Sequence, residues 1–433
     1  MESTLSKYYF LKKDFFSNDL SIKYLLSIFF NTYLFIVFFD VTRDSLAIPR
    51  VVNLLLSAIR DFSIYSLIIY IIVTKKSVVS GYKAFYIAMY CIIPIIMWFS
   101  NLNDGISIEH PFGTVLQFCI LSAKPFMFLY VLQNIDLYYV FEKKNIIKTF
   151  ISIMTFMVIT SFGVYFLFPS LIIKYNIENR VGLGNMSIQA GLYCCAYFLC
   201  LYYYPFKSNK KNYFCIMILL AGVALSVCST GILSILAGTA LFAIDKRSRK
   251  RSLLIILSIS ALCIFIVIRY YSLFSAFFDY FKMKWDNVLD LIAKVFSAEE
   301  HKTKSVSFHA RELQIENMLT NHNALMDRPF GHGYFSITER RIFVENAYYA
   351  IYFDCGFFGV ILLGIIILTL GIKALKLWFY EKSYIGIATL IAFCFFMTTL
   401  DISIGPAISS AFVFLIYVVF HKKDYCGKII ANI

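Results

Sequence analysis

HKTKSVSFHARELQIENMLTNHNALMDRPFGHGYFSITERRIFVENAYYAIYFDCGFFGVILL, residues His301–Leu363, is the stretch from which the organisation of the chain is read. Its first two-thirds are polar, charged and turn-rich, and from Ala347 onward it becomes almost wholly apolar. No other polar run of this length interrupts the sequence. A segment that changes in this way is expected where a chain leaves water and re-enters a bilayer. Within it stand Arg311, the turn Pro329-Phe330-Gly331-His332-Gly333, and Glu345-Asn346 at the mouth of the apolar run.

Composition carries the same reading to the whole chain. Of 433 residues, 60% are hydrophobic, 18% aromatic and only 15% charged, and the mean hydropathy is +0.73. A soluble chain carries about 25% charged residues. This much apolar surface exceeds what one water-soluble core can hide, so the expected class is an all-α integral membrane protein. The first apolar run, residues 22–39, has no small-residue cleavage site behind it and is read as a retained span. All eleven cysteines lie in apolar runs or the C-terminal tail, which speaks for small-hydrophobe packing and against a disulfide framework or thiolate metal site.

Crossing a hydrocarbon core of about 30 Å takes about 20 helical residues. Runs of this kind fall near 22–39, 51–73, 84–99, 112–132, 147–168, 187–204, 213–228, 231–244, 253–271, 347–370, 384–400 and 405–420, giving about twelve spans. The runs 213–228 and 231–244 are separated by Ser229-Thr230 alone, and one broken helix with a re-entrant piece is the alternative there.

Lysine and arginine then set the orientation. With the N-terminus inside, cytoplasmic segments hold Lys7, Lys12, Lys13 and Lys23, then Lys75, Lys76 and Lys83, Lys143, Lys144 and Lys148, and Lys207, Lys210 and Lys211. Further along they hold Lys246 to Arg251, Lys373 to Lys382, and Lys422, Lys423 and Lys428. The short outside loops hold only Arg43, Arg50, Lys174 and Arg180. Both termini are therefore expected in the cytoplasm. The net charge of +14 is positive-inside charge facing anionic lipid, and not a nucleic-acid patch.

Three regions follow: residues 1–271 with nine spans behind an interfacial segment, an extracytoplasmic cap over 272–346, and 347–433 with three spans and a tail. In the cap, Phe274 to Phe296 has the period of an amphipathic helix lying on the outer leaflet. A second stripe, Ile315 to Met326, ends before Pro329 and puts Arg311 on its inward face.

Each candidate residue has a functional and a structural reading. Arg311 is a phosphate ligand or a partner of Glu312 or Glu316, and Arg180 is a second phosphate ligand or a residue snorkelling to headgroups. Glu345 is a general base at a partly desolvated mouth or a helix-start carboxylate favoured by the dipole. His332 contacts substrate from its glycine turn or is merely solvated. Arg60-Asp61 and Lys124-Pro125 fall inside spans, where charge is costly and marks either function or structural ion pairs. Adjacent residues do not share a helix face, so Arg60 and Asp61 are expected to meet different partners. No nucleotide-binding, zinc-protease or nucleophile-elbow motif stands in a suitable context, and no outside carboxylate cluster suits a divalent metal. The expectation is metal-free chemistry without a cofactor.

These residues resemble the O-antigen polymerase and O-antigen ligase superfamily of bacterial polysaccharide assembly. The resemblance covers the topology and three patterns. They are Arg180-Val181-Gly182-Leu183-Gly184-Asn185, the junction Leu225-Ser226-Val227-Cys228-Ser229-Thr230-Gly231, and Arg311 through Gly359 with its Pro-Phe-Gly-x-Gly turn and Gly356-Phe357-Phe358-Gly359. Thr230 stands where a basic residue is common, and Glu345-Asn346 where ligases carry His-Asn, which favours the polymerase branch.

The resemblance implies a GT-C-like membrane enzyme that polymerises undecaprenyl-pyrophosphate-linked repeat units on the outer face of the bacterial cytoplasmic membrane. Donor and acceptor are both lipid-linked glycans, and a chain-length regulator protein is a further implied partner. Glu345, with His332 as runner-up, would take the acceptor proton. Arg180, Arg311, Asn346, Gly331, Gly333, Arg60 and Lys124 would bind substrate. The rival readings are a lipid-linked oligosaccharide flippase, for which Arg60, Asp61 and Lys124 would line a charged cavity, and an O-antigen ligase. No internal repeat of the kind common in transporters is evident.

Overall fold

The computed structural model describes residues 19–43, 45–75, 127–132, 143–172, 183, 186–226, 228–258, 313, 347–398 and 406–420. Nine helices account for most of these: α1 Asp19–Arg43, α2 Arg50–Lys75, α3 Lys143–Leu167, α4 Met186–Tyr203, α5 Asn209–Ser226, α6 Ser229–Ile244, α7 Ala347–Glu381, α8 Ile385–Met397 and α9 Pro406–Phe420. Residues 127–132 and 249–258 are helical too, and among the described residues there is no strand, only a single antiparallel bridge between Leu46 and Ile172. The protein is all-α over this part. The predicted span 84–99, most of 112–132, the end of 253–271 and all of the cap but Leu313 lie outside the described residues.

Near-continuous apolar sequence selects helix because each backbone donor and acceptor is then satisfied within its own segment, as a water-free surround requires. Among the described residues, four stretches are long and apolar enough to cross a membrane: Tyr24–Arg43, Arg50–Val73, Ile146–Leu167 and Gly356–Glu381. These helices also expose large apolar side chains, among them Leu54, Phe62 and Ile69 on α2, Phe156 and Phe166 on α3, and Ile365 and Leu368 on α7. In water such patches would be costly, whereas against lipid they are the expected outer surface. Helices α6, α8 and α9 are shorter.

The centre belongs to α4. Every residue from 189 to 202 is buried, and the helix packs against α3, α5, α6, α8 and α9. A helix that is apolar on all sides is either a lipid-facing span or a core element, and here it is the core. Small residues let its neighbours come close: a Cβ on Gly238 of α6 would stand 2.4 Å from the Phe198 ring. That ring in turn meets Phe242 edge-on, with centroids 5.5 Å apart.

Long-range contacts sort the helix ends into two groups. At the basic end, Tyr202 bonds Ser383 at 2.8 Å, the Tyr384 amide donates to Asp245 at 2.9 Å, and the Tyr203 hydroxyl donates to the Val418 carbonyl at 3.3 Å. Lys207, Lys210, Lys211, Lys246, Arg247, Arg249, Lys250, Arg251 and Lys382 gather there in sequence. Helices α5 and α6 both have one terminus at this end and run in opposite directions, so the stretch 213–244 forms two helices and not one broken helix, with α6 starting at Ser229 behind Cys228 and not after Ser229-Thr230.

Helix caps fix the basic end. Tyr204 takes a left-handed φ of 48° just after α4, its amide bonding the Cys200 carbonyl, and Pro205 prevents continuation. Lys382 does the same after α7 with φ 51°, and the Ser383 amide reaches back to the Leu377 carbonyl. The Arg251 guanidinium lies over the Tyr204 ring at 4.2 Å and donates to the terminal carbonyls of α4 at Leu201 and Tyr202. Burial lowers the Arg251 pKa from its ordinary value, an effect that Tyr204 opposes.

The described cysteines Cys194, Cys195, Cys200, Cys215 and Cys228 are buried free thiols, and Cys394 is half-buried and free.

Candidate functional site

The opposite, far end carries the described parts of the sequence patterns. Leu183, the described residue of the Arg180–Asn185 loop, is held on both sides. Its amide donates to Ser161 Oγ of α3 at 3.0 Å, and its carbonyl accepts from Gln189 Nε2 of α4. Gln189 is fully buried. A buried amide spent on a loop carbonyl fixes where that loop begins its approach to α4.

The second pattern lies against the first. Around the α5–α6 break, Ser226 Oγ donates to the Val223 carbonyl at 2.7 Å, and Cys228 Sγ stands 3.1 Å from Thr230 Oγ1. A Cβ on Gly231 would meet Ala190 Cβ at 3.0 Å and Val223 at 3.1 Å. Ala190 directly follows Gln189, so the break and the anchored loop share the first turns of α4.

The third pattern reaches this end through α7. Ala347 is fully buried, and the Tyr348 hydroxyl donates to the Cys394 carbonyl of α8 at 3.2 Å. Phe396 of α8 abuts Gly191 of α4, where an added Cβ would stand 3.4 Å from its ring. Further along α7, Gly356 has φ 64° and ψ −157°, a region essentially reserved for glycine, and kinks the helix. Two of the segments therefore meet at the start of α4, and the third joins the same end through α8, although their local sequences lie far apart in the chain.

One predicted residue is directly described, Arg60. It is buried in α2 and donates from Nε to Asp61 Oδ1 at 2.8 Å and from Nη1 to Asp40 of α1. Arg43 stands 3.0 Å from Asp40 Oδ1 and donates to Ser57 Oγ at 3.1 Å and the Asn53 carbonyl at 3.3 Å. Arg60 and Asp61 were expected to meet different partners, and here the geometry differs. The Cβ atoms diverge, but the long arginine stem folds back so that one guanidinium serves both its neighbour and Asp40.

This cluster sets two arginines against two aspartates. The Asp40 and Arg60 side chains are 12% and 9% exposed, so desolvation would be severe for either alone. Pairing makes the group formally neutral and ties α1 to α2. The sequence reading passed over Asp40, which sits with Arg43 one turn apart at the end of an apolar run; that spacing was the available signal.

Arg180, Arg311, Lys124, Gly331, His332, Gly333, Glu345 and Asn346 lie outside the described residues. Leu183 and Ala347, the described residues nearest in sequence to Arg180 and Asn346, stand at the same end.

Over the described residues the fold is all-α, with four helices of membrane-crossing length and composition. No family model matches the chain, and no curated protein matches it.

Proposed function

We propose that this chain is a membrane glycosyltransferase that polymerises lipid-pyrophosphate-linked oligosaccharide repeat units at the outer face of the cytoplasmic membrane. In this reading it has about twelve spans, cytoplasmic termini and an outer cap over 272–346. The observation that carries the reading is that Leu183 and the Cys228–Gly231 break meet at the start of α4, and that the segment beginning at Ala347 reaches the same end through α8. These are the anchored parts of the three segments through which the sequence resembles the O-antigen polymerases.

The chemistry assigned to that end has two parts. The bond between the anomeric carbon of the donor glycan and its pyrophosphate breaks, and the electron pair leaves with the lipid pyrophosphate. Arg180 and Arg311 stabilise that departing charge with forked donors matched to phosphate oxygens. The acceptor hydroxyl forms the new bond to the anomeric carbon and gives its proton to Glu345. Asn346 and the Gly331-His332-Gly333 turn line the acceptor side. Arg60, already bonded to Asp40 and Asp61, holds α1 to α2 in this account.

Glu345→Gln tests it at nearly constant shape, because the amide accepts no proton. Cells carrying the variant should lose polymer by about a hundredfold or more, in the range for removing a general base, while the protein remains in the membrane. Polymer at the normal level on a gel ladder would remove Glu345 from the mechanism.

A further inference from the structure

A groove of about 570 Å³ opens at the basic end between α3 and α5, lined by Lys148, Thr149, Ser152 and Ile153 on one side and Phe206, Lys207, Ser208 and Lys211 on the other. We propose that it binds the phosphate headgroup of an anionic phospholipid. The inference does not depend on the glycosyl-transfer reading.

The lining is suited to that ligand. Three lysines and three hydroxyls face the groove, and no described lining residue is acidic. Lys148 and Ser152 are one turn apart on α3, as are Thr149 and Ile153, so the four form one continuous helix face. The opposite wall is built rigidly. Buried Asn212 accepts from the Phe206 amide at 3.0 Å and donates to the Phe206 carbonyl at 2.7 Å and to the Ser208 carbonyl at 3.0 Å. Lys211 then lies over the Phe206 ring, 4.9 Å from its centroid.

Depth decides between lipid and soluble phosphate. The apolar stretch of α3 begins at Ile146. At 1.5 Å per residue, Lys148 to Ile153 lie roughly 3–10 Å along the axis from that start. Headgroups lie just outside the start of the hydrocarbon, so Lys148 reaches them by snorkelling along its stem while Ile153 stands among the acyl carbons. Lysines would meet the phosphate while Ile153 and the Phe206 ring meet the glycerol and chain. Basic pockets between spans on the lysine-rich side are a recurrent way of holding acidic lipid.

The test titrates the purified full chain with phosphatidylglycerol or phosphatidylcholine and counts bound lipid by native mass spectrometry. Phosphatidylglycerol should bind the more tightly. Lys148→Gln, Lys207→Gln and Lys211→Gln together should weaken it on the order of a hundredfold, at roughly fivefold per lysine. Phosphatidylcholine should be unaffected, and the pair Lys373→Gln and Lys376→Gln on α7 should change nothing. If the triple variant does not purify in folded form, Lys207→Gln alone, on an exposed loop, should still give a loss of roughly fivefold. Equal binding of both lipids, unchanged phosphatidylglycerol binding by the triple variant and by Lys207→Gln, or an equal loss in the Lys373→Gln and Lys376→Gln pair, overturns the proposal. Inorganic phosphate should not displace the lipid; displacement at low millimolar concentration would assign the groove to soluble phosphate and overturn the lipid assignment.

Discussion

Arg180→Ala and Arg311→Ala are each expected to abolish chain extension while leaving the protein in the membrane. The leaving group carries its charge on phosphate oxygens, and a guanidinium offers two parallel donors to it as that charge develops. Removing one such contact from a water-poor site lowers turnover on the order of a hundred- to a thousandfold. Lysine at either position keeps the charge but loses the fork, so it should restore only part of the activity. A gel ladder of polymer, beside an immunoblot of membrane fractions, separates lost catalysis from lost protein. Normal ladders from both alanine variants would contradict the phosphate role.

Arg60→Leu has the second large effect, and it falls on stability. The substitution takes from Asp40 and Asp61 the guanidinium that bonds both, in a site where Asp40 is 12% exposed. Breaking a buried pair by removing one partner costs about 3–5 kcal/mol. The variant should unfold at lower temperature in detergent and accumulate poorly in membranes. Adding Asp40→Leu removes the stranded charge and should recover most of the loss, because the group is then formally neutral again. An Arg60→Leu protein of normal stability that had lost polymer would instead make Arg60 a substrate contact.

The sequence announced the helices but not their neighbours. Apolar runs near 22–39, 51–73 and 147–168 correspond to α1, α2 and α3 because the backbone in an apolar run satisfies itself locally. That α4 is the buried centre while α2 faces outward was not legible, since an apolar residue looks the same toward lipid as toward protein. Phe198 against Gly238 is a pairing set by close approach in space, which no periodicity encodes.

The charged cluster was half legible. Arg60-Asp61 stood out as costly, yet the partner Asp40 is twenty residues away across the α1–α2 turn. The anchoring of Leu183 by Ser161 and Gln189 was silent for the same reason: serine and glutamine inside apolar runs give no sign of which backbone group they satisfy. The break was visible in the sequence at Ser229-Thr230 but ambiguous; α6 in fact begins at Ser229, and Asp245, which holds the Tyr384 amide, places the C-terminus of α6 at the basic end.

The most direct measurement deletes the gene for this chain and follows the repeat units. The account predicts that single repeat units are made and moved outward but not joined, and that the intact gene restores the ladder. Lipid-linked units accumulating on the cytoplasmic side, with none outside, would contradict it and show that the chain moves its glycan across the membrane.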